Sequence, residues 1–215
     1  MAESKSNSNI TVYGTELSGH VHRVILFLSI LELSYRFVEA PAEVRRSASF
    51  LALNPLGQIP VLEDGGEVFA DSGAILVYLA KRYAAGSHWL PEDAVSAARV
   101  QRWLAIAAGE LKFGPAAARV MAIWQTPGDR VQAGETADRL FRFMEAHLAD
   151  RSYLAAAHPT IADLAVYAYT AHAPEGGVSL DPYPAIRAWL SRVESLPRFK
   201  AMPRSTPPAQ AQATS

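Results

Sequence analysis

Apolar positions in the first third of the chain change period several times. Residues 10–13 (ITVY) are a short β-prone run, after which Val21, Val24, Ile25, Leu28 and Leu31 recur at helical spacing. Residues 35–40 (YRFVEA) read as a second strand. A polar stretch carrying Arg45 and Arg46 leads into FLAL (50–53), a short helix that stops at Asn54-Pro55, because a proline pushes the residue before it out of the helical region. The runs VLE (61–63) and EVFA (67–70) flank Asp64-Gly65-Gly66, a hairpin signal. Ser72 opens a further helix with Ile75, Leu76, Leu79 and Tyr83 on its apolar side. The predicted order is β-α-β-α-β-β-α: a parallel pair joined by a crossover, with an antiparallel hairpin added.

A linker-like stretch at 84–94 ends this alternation. Segments 95–124, 134–149, 160–171 and 183–196 then keep a helical period. The fold class expected is therefore α/β followed by all-α, with a small mixed domain at 10–86 and a helical domain at 92–200. Residues 201–215 are low in complexity and are expected to be disordered. Thr160-Ile161-Ala162-Asp163 is a capping box ahead of an apolar run, so Asp163 reads as a stabilising residue rather than a catalytic one.

Composition narrows the function by exclusion. With 20 basic and 21 acidic residues the net charge is −1, which offers no electrostatic case for nucleic acid or an anionic membrane. No stretch approaches the roughly 20 apolar residues of a membrane span, and the polar start lacks the apolar core of a secretory signal, so a cytoplasmic location is expected. The chain contains no cysteine. Disulfides, thiolate metal sites and a protein-borne cysteine nucleophile are thereby excluded, and no cluster has metal-ligand spacing, so no metal is expected.

Three short stretches carry candidate chemistry. In NPLGQIPVLED (54–64), Pro60 is either a plain turn proline or a cis-proline. In the second case the backbone of Ile59 faces out from the sheet edge, where an extended peptide can pair with it as one more strand. Asp71-Ser72 stand at a helix start, where free N–H groups favour a carboxylate and Asp71 can hold an ammonium group; a simple N-cap is the alternative. Ser18 precedes the first helix, either as a cap or as a hydroxyl donor to a thiolate. A helix N-terminus lowers a thiol pKa from about 8.5 into the range of about 3.5–7.5, and here the thiol would have to arrive with the ligand. Together the three describe a site for a short acidic peptide with a free amino-acid end.

These residues resemble the cytosolic glutathione transferases. The matches are Y-x4-S-x4-R-V (Tyr13, Ser18, Arg23, Val24), N-P-x-G-Q-[IV]-P (Asn54 to Pro60), DSGAI (71–75) and TIADLAVYAYT (160–170), within a resemblance spanning about residues 10–200. The resemblance implies a thioredoxin-like N-terminal domain, an all-helical C-terminal domain, glutathione as co-substrate, a small hydrophobic electrophile and a homodimer. It implies that Ser18 activates the thiol, as in the serine-type phi and theta classes. Gln58, Ile59 and Pro60 would meet the peptide, Asp71 and Ser72 the γ-glutamyl end, and Arg45 and Arg46 the glycyl carboxylate. Phe113 and Arg119 would face the electrophile.

Several points stay open at this level. Tyr13 lies where tyrosine-type classes keep their activating phenol. Gly19-His20-Val21-His22 matches no particular class, and His20 or His22 is either a second donor to the sulfur or a surface residue. Disulfide or peroxide reduction by bound glutathione needs no protein cysteine, so it stands beside conjugation. A non-catalytic binding or regulatory protein on the same fold is the remaining alternative.

Overall fold

The computed structural model describes residues 9–205. Strand β1 (Ile10–Gly14) lies at the centre of a four-stranded sheet. It pairs in parallel with β2 (Tyr35–Glu39) and antiparallel with β3 (Val61–Asp64), which turns back into β4 (Glu67–Ala70). The order is β2-β1-β3-β4, the mixed sheet expected from the sequence. The hairpin turns on Gly65 (φ +59°) and Gly66 (φ +92°), a left-handed pair that side chains disfavour.

Helix α1 (Gly19–Ile30) makes the parallel crossover, and its residues Val21 to Leu28 are all buried. The polar stretch ahead of FLAL folds into a turn of helix, α2 (Ala42–Arg45), before α3 (Ala48–Leu53). No residue of α2 is buried, so no apolar period announced it. Helix α4 (Ser72–Tyr83) closes the mixed half.

The helical half contains α5 (Ala94–Ala108), α6 (Ala117–Trp124), α7 (Arg130–Leu148), α8 (Ile161–Ala171) and α9 (Pro184–Glu194). The single helix expected at 95–124 is broken between α5 and α6. Gly109 leaves helical geometry (φ −103°, ψ −101°), Gly114 does so again (φ −95°, ψ −105°), and Pro115 has no N–H to give the ladder. Gly114 also lets α7 come close: a Cβ there would lie 2.9 Å from the Ala137 nitrogen.

One continuous core joins the two halves. It runs from Ile10, Val12 and Leu62 of the sheet through α1 to Leu164 and Val166 of α8 and Trp189 of α9. Helix α8 is buried from Ile161 through Thr170, so its start must satisfy its own polar groups. The capping box does this: Asp163 accepts from the Thr160 N–H (2.9 Å), the Leu154 N–H (3.0 Å) and the Trp189 indole (2.9 Å). Burial pushes its carboxyl pKa up while these donors oppose the shift.

Residues 201–205, expected in a disordered tail, are held in place. Met202 is buried and the Ser205 hydroxyl bonds Glu175, because the core continues past α9. Residues 206–215 lie outside the described residues. No helix among the described residues is long and apolar enough to cross a membrane.

Candidate active site

A cavity of about 540 Å³ opens between the end of the sheet and the arm formed by α5 and α6. Its floor comes from the mixed half: Ser18, Ile59, Pro60, Asp71 and Ser72, with Gln58 and Arg45 at the side. Its facing wall is mainly apolar and comes from the helical half, with Leu104, Ala107, Val120 and Trp124 beside Leu17.

Ser18 is held by the helix it starts. It adopts an extended backbone as the N-cap of α1, and its Oγ accepts from the Val21 N–H at 3.4 Å. The hydroxyl therefore lies among the first free N–H groups of α1, at the positive end of the helix dipole.

The NPLGQIP loop is pinned by Asn54. Its side chain accepts from the Leu56 N–H (3.1 Å) and donates to the Gln58 carbonyl (2.8 Å), and Gly57 takes the positive φ the turn needs (+61°). The Ile59–Pro60 peptide is cis. Pairing of β3 with β1 begins only at Val61, so Ile59 sits past the end of the ladder. Asp71 has φ +72°, a region that non-glycine residues seldom occupy, and caps α4 through one oxygen alone: Oδ1 accepts from Gly73 (2.8 Å) and Ala74 (3.1 Å). Ser72 follows as the first residue of that helix.

Not every candidate comes to the cavity. Arg45 does, with a buried Nε that has no partner among the described residues, whereas Arg46 is exposed and outside the lining. Tyr13 is outside the lining. Its hydroxyl donates to Glu63 at 2.6 Å, and this carboxylate raises the phenol pKa, the opposite of what an activating tyrosine requires. His20 and His22 separate because two residues on a helix turn about 200°. The His20 ring reaches the cavity with Nδ1 3.4 Å from Ser72 Oγ; burial, together with Arg23 and Lys112, lowers its pKa to about 3, so it is uncharged at neutral pH. His22 points to the opposite side, where Nε2 donates to the Lys200 carbonyl at 2.7 Å.

The electrophile candidates fare differently from one another. Phe113 is 63% exposed and absent from the lining, displaced by the break between α5 and α6. Arg119 lines the cavity, but its guanidinium is fully engaged: Nε to Glu175 (2.7 Å), Nη1 to the Leu17 carbonyl (2.9 Å) and Nη2 to Ser205 (3.1 Å). It ties the turn that carries Ser18 to the helical half.

Two residues of the site had no role assigned from the sequence. Arg23, buried inside the apolar face of α1, donates from Nη1 to Ser72 Oγ (3.1 Å), while its Nε and Nη2 lack partners among the described residues. Burial lowers its pKa to about 10, which leaves it charged at neutral pH. A charge amid Val21, Val24 and Ile25 was the signal that marked it. Tyr169 of α8 lines the cavity beside Ser18, and its ring meets His20 edge-on at 5.0 Å. Helix α8 is apolar almost all round, so its period could not tell which tyrosine faces the cavity.

The comparisons with known proteins bear on the whole chain. Residues 12–88 match the family described as glutathione S-transferase, N-terminal domain, and residues 117–197 match glutathione S-transferase, C-terminal domain. Glutathione S-transferase 3 of Zea mays is 33% identical over 93% of this chain and 97% of its own. The crystal structure of a glutathione S-transferase from Pseudomonas fluorescens superposes with a TM-score of 0.84 at 34% identity, covering 90% of this chain and 98% of that one. A glutathione transferase homologue from Drosophila mojavensis, solved with bound glutathione, gives a TM-score of 0.79 at 28% identity, with 88% and 89% covered.

Proposed function

Because the chain belongs to the glutathione S-transferase family, we propose that it binds glutathione along the floor of this cavity and adds its thiolate to a hydrophobic electrophile held against the apolar wall. The observation that carries this is the convergence of Ser18, the unladdered Ile59 and the Asp71-Ser72 helix start on one cavity.

Each part supplies one interaction. The backbone of Ile59 pairs with the cysteinyl unit as an added strand would. The Oδ2 of Asp71, which capping leaves unused, takes the γ-glutamyl ammonium. The matching carboxylate docks at the start of α4 by Ser72, with the buried charge of Arg23 behind it. Arg45 offers its unpartnered Nε to the glycyl carboxylate. Arg46, being exposed and outside the lining, has no part in this arrangement.

Ser18 then donates its hydroxyl hydrogen to the sulfur, and the N-terminus of α1 adds its positive potential. Both favour thiolate over thiol, and the proton leaves to solvent. Lowering the thiol pKa by about two units requires about 2.7 kcal/mol of preferential stabilisation, within reach of one charge-assisted hydrogen bond plus a helix terminus. The thiolate attacks the electrophilic carbon and forms the C–S bond, either expelling the leaving group or adding across a double bond whose second carbon then takes a proton from solvent. Apolar side chains opposite Ser18 favour substrates with a hydrophobic body. A homodimer belongs to the same reading, supported by the exposed apolar side chains Leu56, Val68 and Val95, and sedimentation tests it.

Ultraviolet absorbance of thiolate, followed across pH in the glutathione-saturated protein, tests the central step. The wild type should show thiolate at neutral pH, and Ser18→Ala should lose it together with about 100-fold in kcat toward an aryl halide, while retaining glutathione. Unchanged turnover in Ser18→Ala would remove Ser18 from the mechanism.

A further inference from the structure

We infer that Tyr169 is a positioning residue for Ser18: its hydroxyl, delivered from the helical half, donates to Ser18 Oγ and leaves the serine's own hydrogen for the sulfur. The inference rests on the reading of Ser18 given above.

The geometry is close and enclosed. Tyr169 is 4% exposed, lines the same cavity as Ser18, and packs its ring on Gly19, the next residue along. A Cβ at Gly19 would come within 2.8–2.9 Å of three ring atoms, so the glycine is what lets α8 approach the start of α1. The His20 ring closes one side of the tyrosine. One of the three ring atoms facing Gly19 is Cζ, which carries the hydroxyl, so the phenol end of the ring lies against the start of α1, where Ser18 and the His20 backbone N–H are.

Counting donors and acceptors sets the direction of the bond. In the proposed arrangement the phenol oxygen receives the His20 N–H and has one hydrogen to give. Ser18 Oγ accepts from Val21 N–H and has a second acceptor site plus one hydrogen. If Ser18 donated to Tyr169, its hydrogen would be turned away from the cavity. When Tyr169 donates to Ser18, the run His20 N–H, Tyr169 O–H, Ser18 O–H ends at the ligand, and each bond polarises the next. An arriving thiolate selects this second arrangement, because only it offers the anion a hydrogen. Burial raises the phenol pKa, so the group is protonated and able to donate at neutral pH, while Arg23 and Arg119 oppose that shift.

The test is the thiolate titration on wild type, Ser18→Ala, Tyr169→Phe and the double variant, each saturated with glutathione. Tyr169→Phe should raise the bound thiol pKa by about half to one unit, with glutathione affinity unchanged within about twofold. The double variant should have the pKa of Ser18→Ala alone, since the tyrosine acts through the serine. A wild-type pKa in Tyr169→Phe, or shifts that add in the double variant, overturns the inference and leaves the role of Ser18 standing. A wild type that binds glutathione without ionising it overturns the reading of Ser18 and this pair with it. Should Tyr169→Phe fold poorly, 3,5-difluorotyrosine at position 169 gives a change of opposite sign. The more acidic phenol should lower the thiol pKa, which packing damage would not do, and a rise or no change counts against the pair.

Discussion

Arginines line the cavity from both halves of the molecule. Arg119, from the helical half, is fully buried and spends every nitrogen on protein acceptors. Arg45, from the mixed half, has a buried Nε with no partner among the described residues, and Arg23 beneath the same floor has two such nitrogens. Buried donors are nearly always paired in folded proteins, so on the proposed reading the unpaired nitrogens of Arg45 and Arg23 are where glutathione would complete the structure, and the paired ones of Arg119 are scaffold. The mixed half is built incomplete on its cavity side, and the helical half is built to hold it still.

The largest expected effect sharpens that contrast. Arg119→Met should cost about 3 kcal/mol of stability in urea unfolding, because Glu175 loses its guanidinium partner and the Leu17 turn is freed. Glu175 is pushed up by burial but held below its ordinary value by Ser205, His172 and Arg119 together. Arg45→Met should leave stability within about 0.5 kcal/mol and weaken glutathione binding about tenfold. If the two variants behaved alike, the distinction between paired and unpaired cations would fail.

A smaller effect comes from the two histidines of α1, buried on opposite sides. Burial lowers His20 to a pKa of about 3 and His22 to about 4, against about 6.5 for an ordinary histidine. Below about pH 6.5 the unfolded chain takes up protons that the folded chain refuses. Stability should therefore fall with pH by up to about 1.4 kcal/mol per unit for each histidine, His22 down to about pH 4 and His20 to about pH 3. His20→Gln and His22→Gln should each remove one share of this slope in unfolding experiments between pH 7.5 and 5. Only His20→Gln should also change glutathione binding, since only His20 faces the cavity. The smallest effect is expected at Phe113. Its replacement by Ser should alter neither kcat/KM beyond about twofold nor stability beyond about 0.5 kcal/mol, and a large kinetic loss would bring that ring back into the site.

Much of the site floor was legible because its chemistry is local. A capping serine, an Asn-Pro-x-Gly turn and an Asp-Ser helix start are each set within a few residues, as the Asn54 bonds to Leu56 and Gln58 illustrate. The facing wall was not legible for the converse reason. The helical period over 95–124 predicts one continuous helix carrying Phe113 and Arg119, and the break at Gly109 to Pro115 re-aims the side chains beyond it. Tyr13 was read from its place in the chain, but its hydroxyl is claimed by Glu63, fifty residues away on the next strand of the sheet.

The sequence by itself determined the succession of strands and helices, the mixed sheet with its hairpin, the capping box at Asp163 and the three stretches of the mixed half that line the cavity. Hydrophobic period, turn residues and caps are short-range properties, and they act before the chain has met itself. Tertiary structure alone decided which of His20 and His22 faces the cavity, that Arg119 is tied to the Leu17 carbonyl, and that Tyr169 packs on Gly19 next to Ser18. Those outcomes depend on how closely α8 packs on α1, and that distance is set by the absent side chain of Gly19 and the volume of a shared core, which no local pattern encodes.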